Sequence, residues 1–290
     1  VNDESLCIIC GIVKKGTEEH IIPKSLGNES LKIYCVCKEC NSGLGANVDS
    51  YLVNHMFTQI IRQFLGLKGQ SGEVPNPFKK GRDEEGNVVH VNDDFVPRSL
   101  PRLEQVGTKV KITAPSRELA LTMLRKKLIR QGFSDVQIDQ YIERENIIRE
   151  ESVHYPKIRY DMTVDLNKYY LAALKIAYEY GYHKFGELFY NDEIAQQIRM
   201  ILFNASKGNF DYTYGKVRLL SSFITHSMEK EQGINCHMLS LHKDNANQLI
   251  VNIILFMTPG LSFSVCISNN ALKYRIENEI ITEIIPIKIN

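Results

Sequence analysis

The sequence predicts an α+β fold from three features. Two Cys-x-x-Cys pairs, Cys7/Cys10 and Cys37/Cys40, bracket short strand-like segments. Val48, Leu52, Met56, Ile60 and Phe64 then recur every four positions, as the buried stripe of a helix does. Near the end of the chain, His237 to His242, Gln248 to Met257 and Leu261 to Ser268 read as the strands of an antiparallel meander, with Pro259-Gly260 as a turn.

The cysteine pairs come first in order and in information. Thiolates two residues apart grip one face of a tetrahedral zinc ion, and a second pair closes the shell at Zn–S distances of about 2.3 Å. A closed shell leaves no open position, so this zinc is expected to be structural. Between Cys10 and Cys37 lie 26 residues, more than the roughly 15 to 20 of simple four-cysteine sites. The excess accommodates an insertion that carries Glu19-His20-Ile21-Ile22-Pro23. Two short strands are expected, one around His20 and one over Lys32 to Val36. Cys35 alternates with Cys37 on the second of them and reads as a small buried hydrophobe, since zinc accepts four ligands. Taken alone, the cysteines fit a plain zinc ribbon used for binding equally well.

Beyond the second pair, a single long helix is expected from about Lys38 to Phe64, its apolar stripe packing on the later part of the chain. Asp49 and His55 read as solvated residues on it. From Gly66 to Pro101 the sequence is polar and rich in Gly and Pro, a linker with a hairpin near Asn87 to Val91. Ser116 is an N-cap candidate for a helix that stops at Gly132, and Ser134 opens another. Lys157 to Leu166 alternates as a strand, whereas Leu171 to Tyr182 and Glu193 to Phe203 carry helical patterns. His237 and His242, five residues apart on a strand, fall on opposite faces and make a poor metal pair. The tyrosines at 169, 170, 178, 180 and 182 read as core and rim residues at least as well as base-stacking ones. The domains expected are residues 1–65, a linker over 66–105, and an α+β accessory domain over 106–290.

Composition narrows the class. The chain has 290 residues, 43% of them hydrophobic, enough for a substantial core. It has no apolar run of membrane-spanning length. The start, Val1-Asn2-Asp3-Glu4-Ser5, does not resemble a secretory leader. Seven cysteines, an odd number, favour reduced thiols and a cytoplasmic location. The net charge is only +1, so nucleic-acid binding would rest on local patches. Lys14/Lys15, Lys79/Lys80/Arg82 and Arg125/Lys126/Lys127/Arg130 are candidates, although a charge run is more often a solvated face.

Together, Cys7-Ile8-Ile9-Cys10, Glu19-His20-Ile21-Ile22-Pro23-Lys24-Ser25-Leu26-Gly27 and Cys37-Lys38-Glu39-Cys40-Asn41 resemble the zinc-stabilised HNH endonucleases of the ββα-metal class. The resemblance covers roughly the first 65 residues. Leu44-Gly45 and Val48-Asp49 are similar to a subgroup in which an Asp follows about two helical turns later. It implies that His20 is the general base on water, and that Glu19 and Asn41 hold a divalent Mg²⁺ or Mn²⁺. It also implies Cys7, Cys10, Cys37 and Cys40 as zinc ligands, with Lys24 and Lys32 as candidate DNA contacts. The middle Asn of the family pattern is expected near position 32, where Lys32 stands; either the role of orienting His20 passes to a backbone carbonyl, or Lys32 contacts phosphate, or the site is inactive. The implied activity is metal-dependent hydrolysis of DNA phosphodiesters, in restriction or defence by family association. One site addresses one strand at a time, so either a homodimer or a nickase is expected. The alternative is an inactive, zinc-dependent nucleic-acid-binding or regulatory protein.

Overall fold

The computed structural model describes residues 4–94, 96–107, 109–144, 157–210, 214–220, 235–276 and 280–289. In chain order the elements are β1 (Glu4–Leu6), β2 (Val13–His20), β3 (Lys32–Cys37), α1 (Lys38–Leu44), α2 (Ser50–Asn54), α3 (Met56–Phe64), β4 (Lys80–Arg82), β5 (Val88–Val91), β6 (Pro97–Ser99), β7 (Arg102–Val106), β8 (Lys109–Thr113), α4 (Arg117–Arg130), α5 (Asp135–Arg144), α6 (Leu166–Phe185), α7 (Glu187–Tyr190), α8 (Glu193–Ser206), β9 (Val217–Leu219), β10 (Cys236–Lys243), β11 (Leu249–Ile254), β12 (Ser262–Ser268) and β13 (Ile281–Pro286). The fold is α+β, with an N-terminal ββα segment and a later antiparallel five-stranded sheet. Two compact units divide the chain at points other than residues 65 and 105: Val1–Pro75 with Val164–Asn290, and Asn76–Thr163.

In the larger unit β1, β2 and β3 form an antiparallel sheet in that order. Thr17 faces Val36 and Glu19 faces Ile33, so β3 contributes one extra residue between these pairs. Such a bulge re-aims the side chains that follow it, and Glu19 and His20 follow it directly. The second sheet runs β13-β10-β11-β12-β9, all antiparallel. Its central strands β10, β11 and β12 are the expected meander; β9 and β13 at the edges were not foreseen.

The 20-residue helix α6 packs on β11 and β12 and also against α2 and α8. With neighbours on several sides, it is buried almost all round from Tyr169 to Gly181. One hydrophobic core therefore includes Ile8, Ile21, Ile22 and Leu44 from the N-terminal segment with Ile176, Tyr180, Leu202 and Val251. Tyr178 donates from its hydroxyl to the Ile8 carbonyl at 2.7 Å. Gly43 permits the approach of α1 to α8, because a Cβ there would sit 2.2 Å from the Ser206 carbonyl oxygen.

The single helix expected over residues 38–64 is three. A π turn at Gly45–Asp49 widens the spiral after α1, and His55 (ψ 144°) breaks it before α3. The four-residue stripe misses this break because His55 substitutes for the lost helical bond: its Nδ1 accepts from the Phe57 N–H at 3.3 Å. The strand expected over 157–166 is also not formed; Arg159 makes one isolated bridge to Arg82. The alternation of Ile158 and Tyr160 reflects packing against Gly81 instead.

The smaller unit holds the sheet β4-β5-β6, the hairpin β7-β8, and the helices α4 and α5. Asp83 closes the β4–β5 loop by accepting from the N–H groups of Glu85 (3.0 Å) and Asn87 (2.8 Å). Ser116 caps α4 as expected, accepting from the Leu119 N–H. The basic run on α4 is a solvated, paired face: Arg125 meets Asp139 and Asp135, and Lys127 donates to Gln105.

His237 joins the second sheet to the N-terminal segment. Its Nε2–H donates to the Leu26 carbonyl (3.0 Å), and its Nδ1 accepts from the Phe256 N–H (3.1 Å). The two partners leave only this neutral tautomer, and the second bond helps hold Phe256 in a left-handed conformation (φ 54°). Burial pulls the imidazole down to about 4 from its ordinary 6.5. The unfolded chain takes up this proton below pH 6.5 and the folded chain resists until about 4, so stability falls as pH drops through that window. By pH 4.5 the loss from this residue reaches about 2–3 kcal/mol. Urea midpoints at pH 7 and 4.5 check it: a His237→Gln variant should lose that much less stability on acidification, and an equal loss in both proteins contradicts it.

Candidate active site

The four cysteines converge although they come from three places in the chain. Cys7 and Cys10 lie in the turn between β1 and β2, Cys37 ends β3, and Cys40 stands in the first turn of α1. Their Sγ atoms all lie within 4.8 Å of one another. Among the described residues this is the only group of three or more His, Cys, Asp or Glu with metal-binding proximity. The Cys37 N–H donates to Cys7 Sγ at 3.3 Å, the type of backbone support that thiolate ligands use. The Cys40 thiol, with backbone N–H groups of Cys37, Cys10 and Ile9, holds the Cys7 thiol down to about 4. Four soft sulfur donors in this arrangement are consistent with a structural zinc site. Cys35 stays outside the group and is partly buried, as expected of a small hydrophobe.

Below this clamp, β2 presents Glu19 and His20 at its end and α1 presents Asn41. The Asn41 amide nitrogen donates to Thr17 Oγ1 (3.0 Å) and to the Glu18 carbonyl (2.9 Å). Since that carbonyl only accepts, the amide's orientation is determined. Thus Asn41 ties the helix start to the strand that bears the Glu-His pair. His20 is mostly buried, with a side-chain exposure of 13%. Burial, with Lys32 adding to it, pulls the imidazole below the usual histidine range. It is therefore neutral near pH 7, the form that accepts a proton. Nε2 has no hydrogen-bond partner among the described residues; the nearest carboxylate oxygen is Glu18 Oε1 at 3.6 Å.

Lys32 lies directly across the ladder from His20. Its ammonium pairs with Glu18 at 3.1 Å. Lys24 is exposed on the short helical turn after the Glu-His segment. No hydrogen bond to a backbone carbonyl orients the His20 ring among the described residues, unlike the role expected of such a carbonyl. The asparagine that organises this region is Asn28. Fully buried, it donates to the carbonyls of Ile22 (2.8 Å) and Leu31 (2.9 Å) and accepts from the N–H groups of Ser30 (3.2 Å) and Leu31 (2.9 Å). It shapes the loop joining β2 to β3, four residues before position 32, where the family pattern has its middle Asn.

Two residues of this site were absent from the sequence reading. Lys175 on α6 is fully buried, and its Nζ reaches Glu19 Oε1 (2.5 Å), the His20 carbonyl (2.9 Å), Glu179 Oε2 (3.1 Å) and Asp49 Oδ2 (3.3 Å). Asp49 is consequently an interior partner rather than the solvated residue expected, delivered by the π turn. Burial raises the carboxyls of Glu19, Asp49 and Glu179, the last well above the usual range, while Lys175 opposes the rise. For Lys175, burial pulls the ammonium down, but Asp49, Glu179 and Glu19 outweigh it and hold it well above the usual lysine range. Asp49 Oδ1 and both Glu179 carboxyl oxygens have no hydrogen-bond partner among the described residues, Oε2 meeting Lys175 as an ion pair. The overlooked signal was Lys175 and Glu179 at i, i+4 among Ala172, Ala173, Ile176, Ala177 and Tyr180: two opposite charges inside an apolar helix.

Removing one member of a buried ion network leaves the others uncompensated. Lys175→Met should therefore cost about 3–5 kcal/mol, read from urea unfolding at pH 7; a loss below about 1 kcal/mol, the scale of a surface pair, contradicts it.

Residues 7–57 match the HNH_5 model of HNH endonucleases. The match spans both cysteine pairs, the Glu19-His20 strand end, Asn41 and Asp49, and stops before Lys175. The curated proteins and the solved structures gave no match. The HNH segment carries a four-cysteine cluster consistent with zinc, and its family is one of phosphodiester hydrolases acting on nucleic acid. Among the described residues no helix is long and apolar enough to cross a membrane.

Proposed function

We propose that this chain is a metal-dependent DNA endonuclease with His20 as general base. The observation that carries the reading is that the Asn41 amide at the start of α1 bonds Thr17 and the Glu18 carbonyl, the residues that lead directly into Glu19 and His20 at the end of β2, within the HNH-matched segment. His20, kept neutral by burial, takes a proton from water at Nε2 as the water attacks phosphorus. Glu19 and Asn41 are the oxygen donors suited to Mg²⁺ or Mn²⁺, hard cations that accept few protein ligands and fill the rest with water and phosphate. When bound, the metal stabilises charge on the phosphate and the departing 3′ oxygen. Lys24 would meet the DNA backbone, a reading its exposure beside the Glu-His segment supports. The zinc clamp maintains the strand-to-helix geometry and takes no part in the chemistry. Cutting both strands requires two such sites, hence a homodimer; a monomer would nick.

A second reading, an inactive nucleic-acid-binding protein, draws on Lys32 and on the lack, among the described residues, of a hydrogen bond orienting His20. Supercoiled plasmid incubated with the full chain and Mg²⁺ or Mn²⁺ separates the two. The nuclease reading expects nicked or linear product that depends on the metal and on His20. Binding without cutting, equal in the protein and in His20→Ala over substrates of varied sequence and modification, favours the second.

A further inference from the structure

The Lys175 network lies outside the HNH-matched segment but holds the Glu-His pair from beneath. Its ammonium binds Glu19 through Oε1 alone and takes the His20 backbone carbonyl as well. Two adjacent residues of β2 are thus fastened by one group on a helix 156 residues later in the chain. Glu179, one turn along α6, and Asp49, from the π turn, hold the ammonium from other directions. Lys175 is fully buried, so it cannot meet DNA, and its effect must pass through Glu19 and His20. No hydrogen-bond donor among the described residues meets Glu19 Oε2.

The geometry points to Lys175 as a positioning residue of the nuclease site: it fixes Glu19 by Oε1 so that Oε2 is presented to the divalent cation, and it anchors the backbone at His20. The inference rests on the nuclease reading of Glu19 and His20. It makes α6 part of the catalytic assembly, and it predicts the opposite of simple electrostatics. Deleting a cation beside a metal ligand should tighten metal binding if charge alone matters, since repulsion is removed; loss of positioning should weaken it.

The full-length Lys175→Met/Glu179→Leu double variant removes the ammonium together with the buried carboxyl that it faces and replaces both with apolar groups, which buried pairs often tolerate. Circular dichroism and zinc content report that it is folded. Mn²⁺ affinity by calorimetry is expected to fall at least tenfold, and the plasmid-nicking rate at saturating Mn²⁺ at least a hundredfold. A folded variant with unchanged or tighter Mn²⁺ binding and unchanged nicking overturns the proposal while leaving the nuclease reading intact. If the wild-type chain neither binds Mn²⁺ nor nicks, the nuclease reading fails and the proposal with it. A crystal structure of the wild-type chain with Mn²⁺ tests the same point without a substitution. Manganese is expected on Glu19 Oε2 with Lys175 still on Oε1; Lys175 displaced from Glu19, or manganese on Oε1, overturns it.

Discussion

Stripping the metal from the four-cysteine site, or replacing Cys40 by Ser, is expected to unfold the N-terminal segment. Structural zinc binding contributes about 10–16 kcal/mol in small zinc domains, comparable with or larger than the roughly 5–15 kcal/mol that stabilises a whole domain. Here the clamp joins the β1–β2 turn, the end of β3 and the start of α1. Few other groups could hold that junction: three of the four cysteines are buried, and Cys37 and Cys40 sit where strand passes into helix. Ile8, Ile9 and Leu44, which fill the core beside them, would lose their packing. The wild-type chain should contain about one zinc, the stoichiometry of one four-ligand site. Chelation should abolish its cooperative thermal transition or lower it steeply, with recovery on adding zinc. A metal-free chain that melts as the zinc-loaded one does would remove the clamp from the account.

His20→Ala is expected to lower plasmid nicking by about 10²–10⁴-fold, the usual contribution of a positioned general base, with little change in DNA affinity. The side chain is mostly buried but takes part in no hydrogen bond among the described residues, so its removal should cost little stability. That separates the outcome from Lys175→Met, where lost activity would accompany lost stability. Comparable nicking by His20→Ala and wild type would transfer the proton-accepting role elsewhere and sink the mechanism.

How much of this was legible depends on the sequence separation over which each feature is encoded. Strand, loop and helix follow one another within residues 7–41, and ligand spacing is a local property that zinc chemistry constrains tightly. The cysteine clamp, the Glu-His strand end and Asn41 could therefore be read directly, as could the Ser116 cap and the central strands of the meander. Local pattern misled where a side chain substituted for the backbone: His55 ends one helix and starts another beneath an uninterrupted stripe. It also misled over 157–166, where alternation reflects packing on Gly81 without a strand partner on both sides. The family pattern has its middle Asn at position 32, where this chain carries Lys32, and the hydrogen-bonding demand of the β2–β3 loop is met by Asn28.

From residue types and spacing, the chain's α+β class and its cysteine cluster could be read, and the family resemblance supplied the candidate nuclease residues. The partners of Glu19 could not be read. Whether a charged residue is solvated or paired in the interior depends on which distant elements exclude water from it, and 156 residues separate Glu19 from Lys175. Folding α6 against the N-terminal segment removes water from four charged groups at once. Their mutual compensation, needed only because they are buried, links Glu19 near the start of the chain to a helix in its middle.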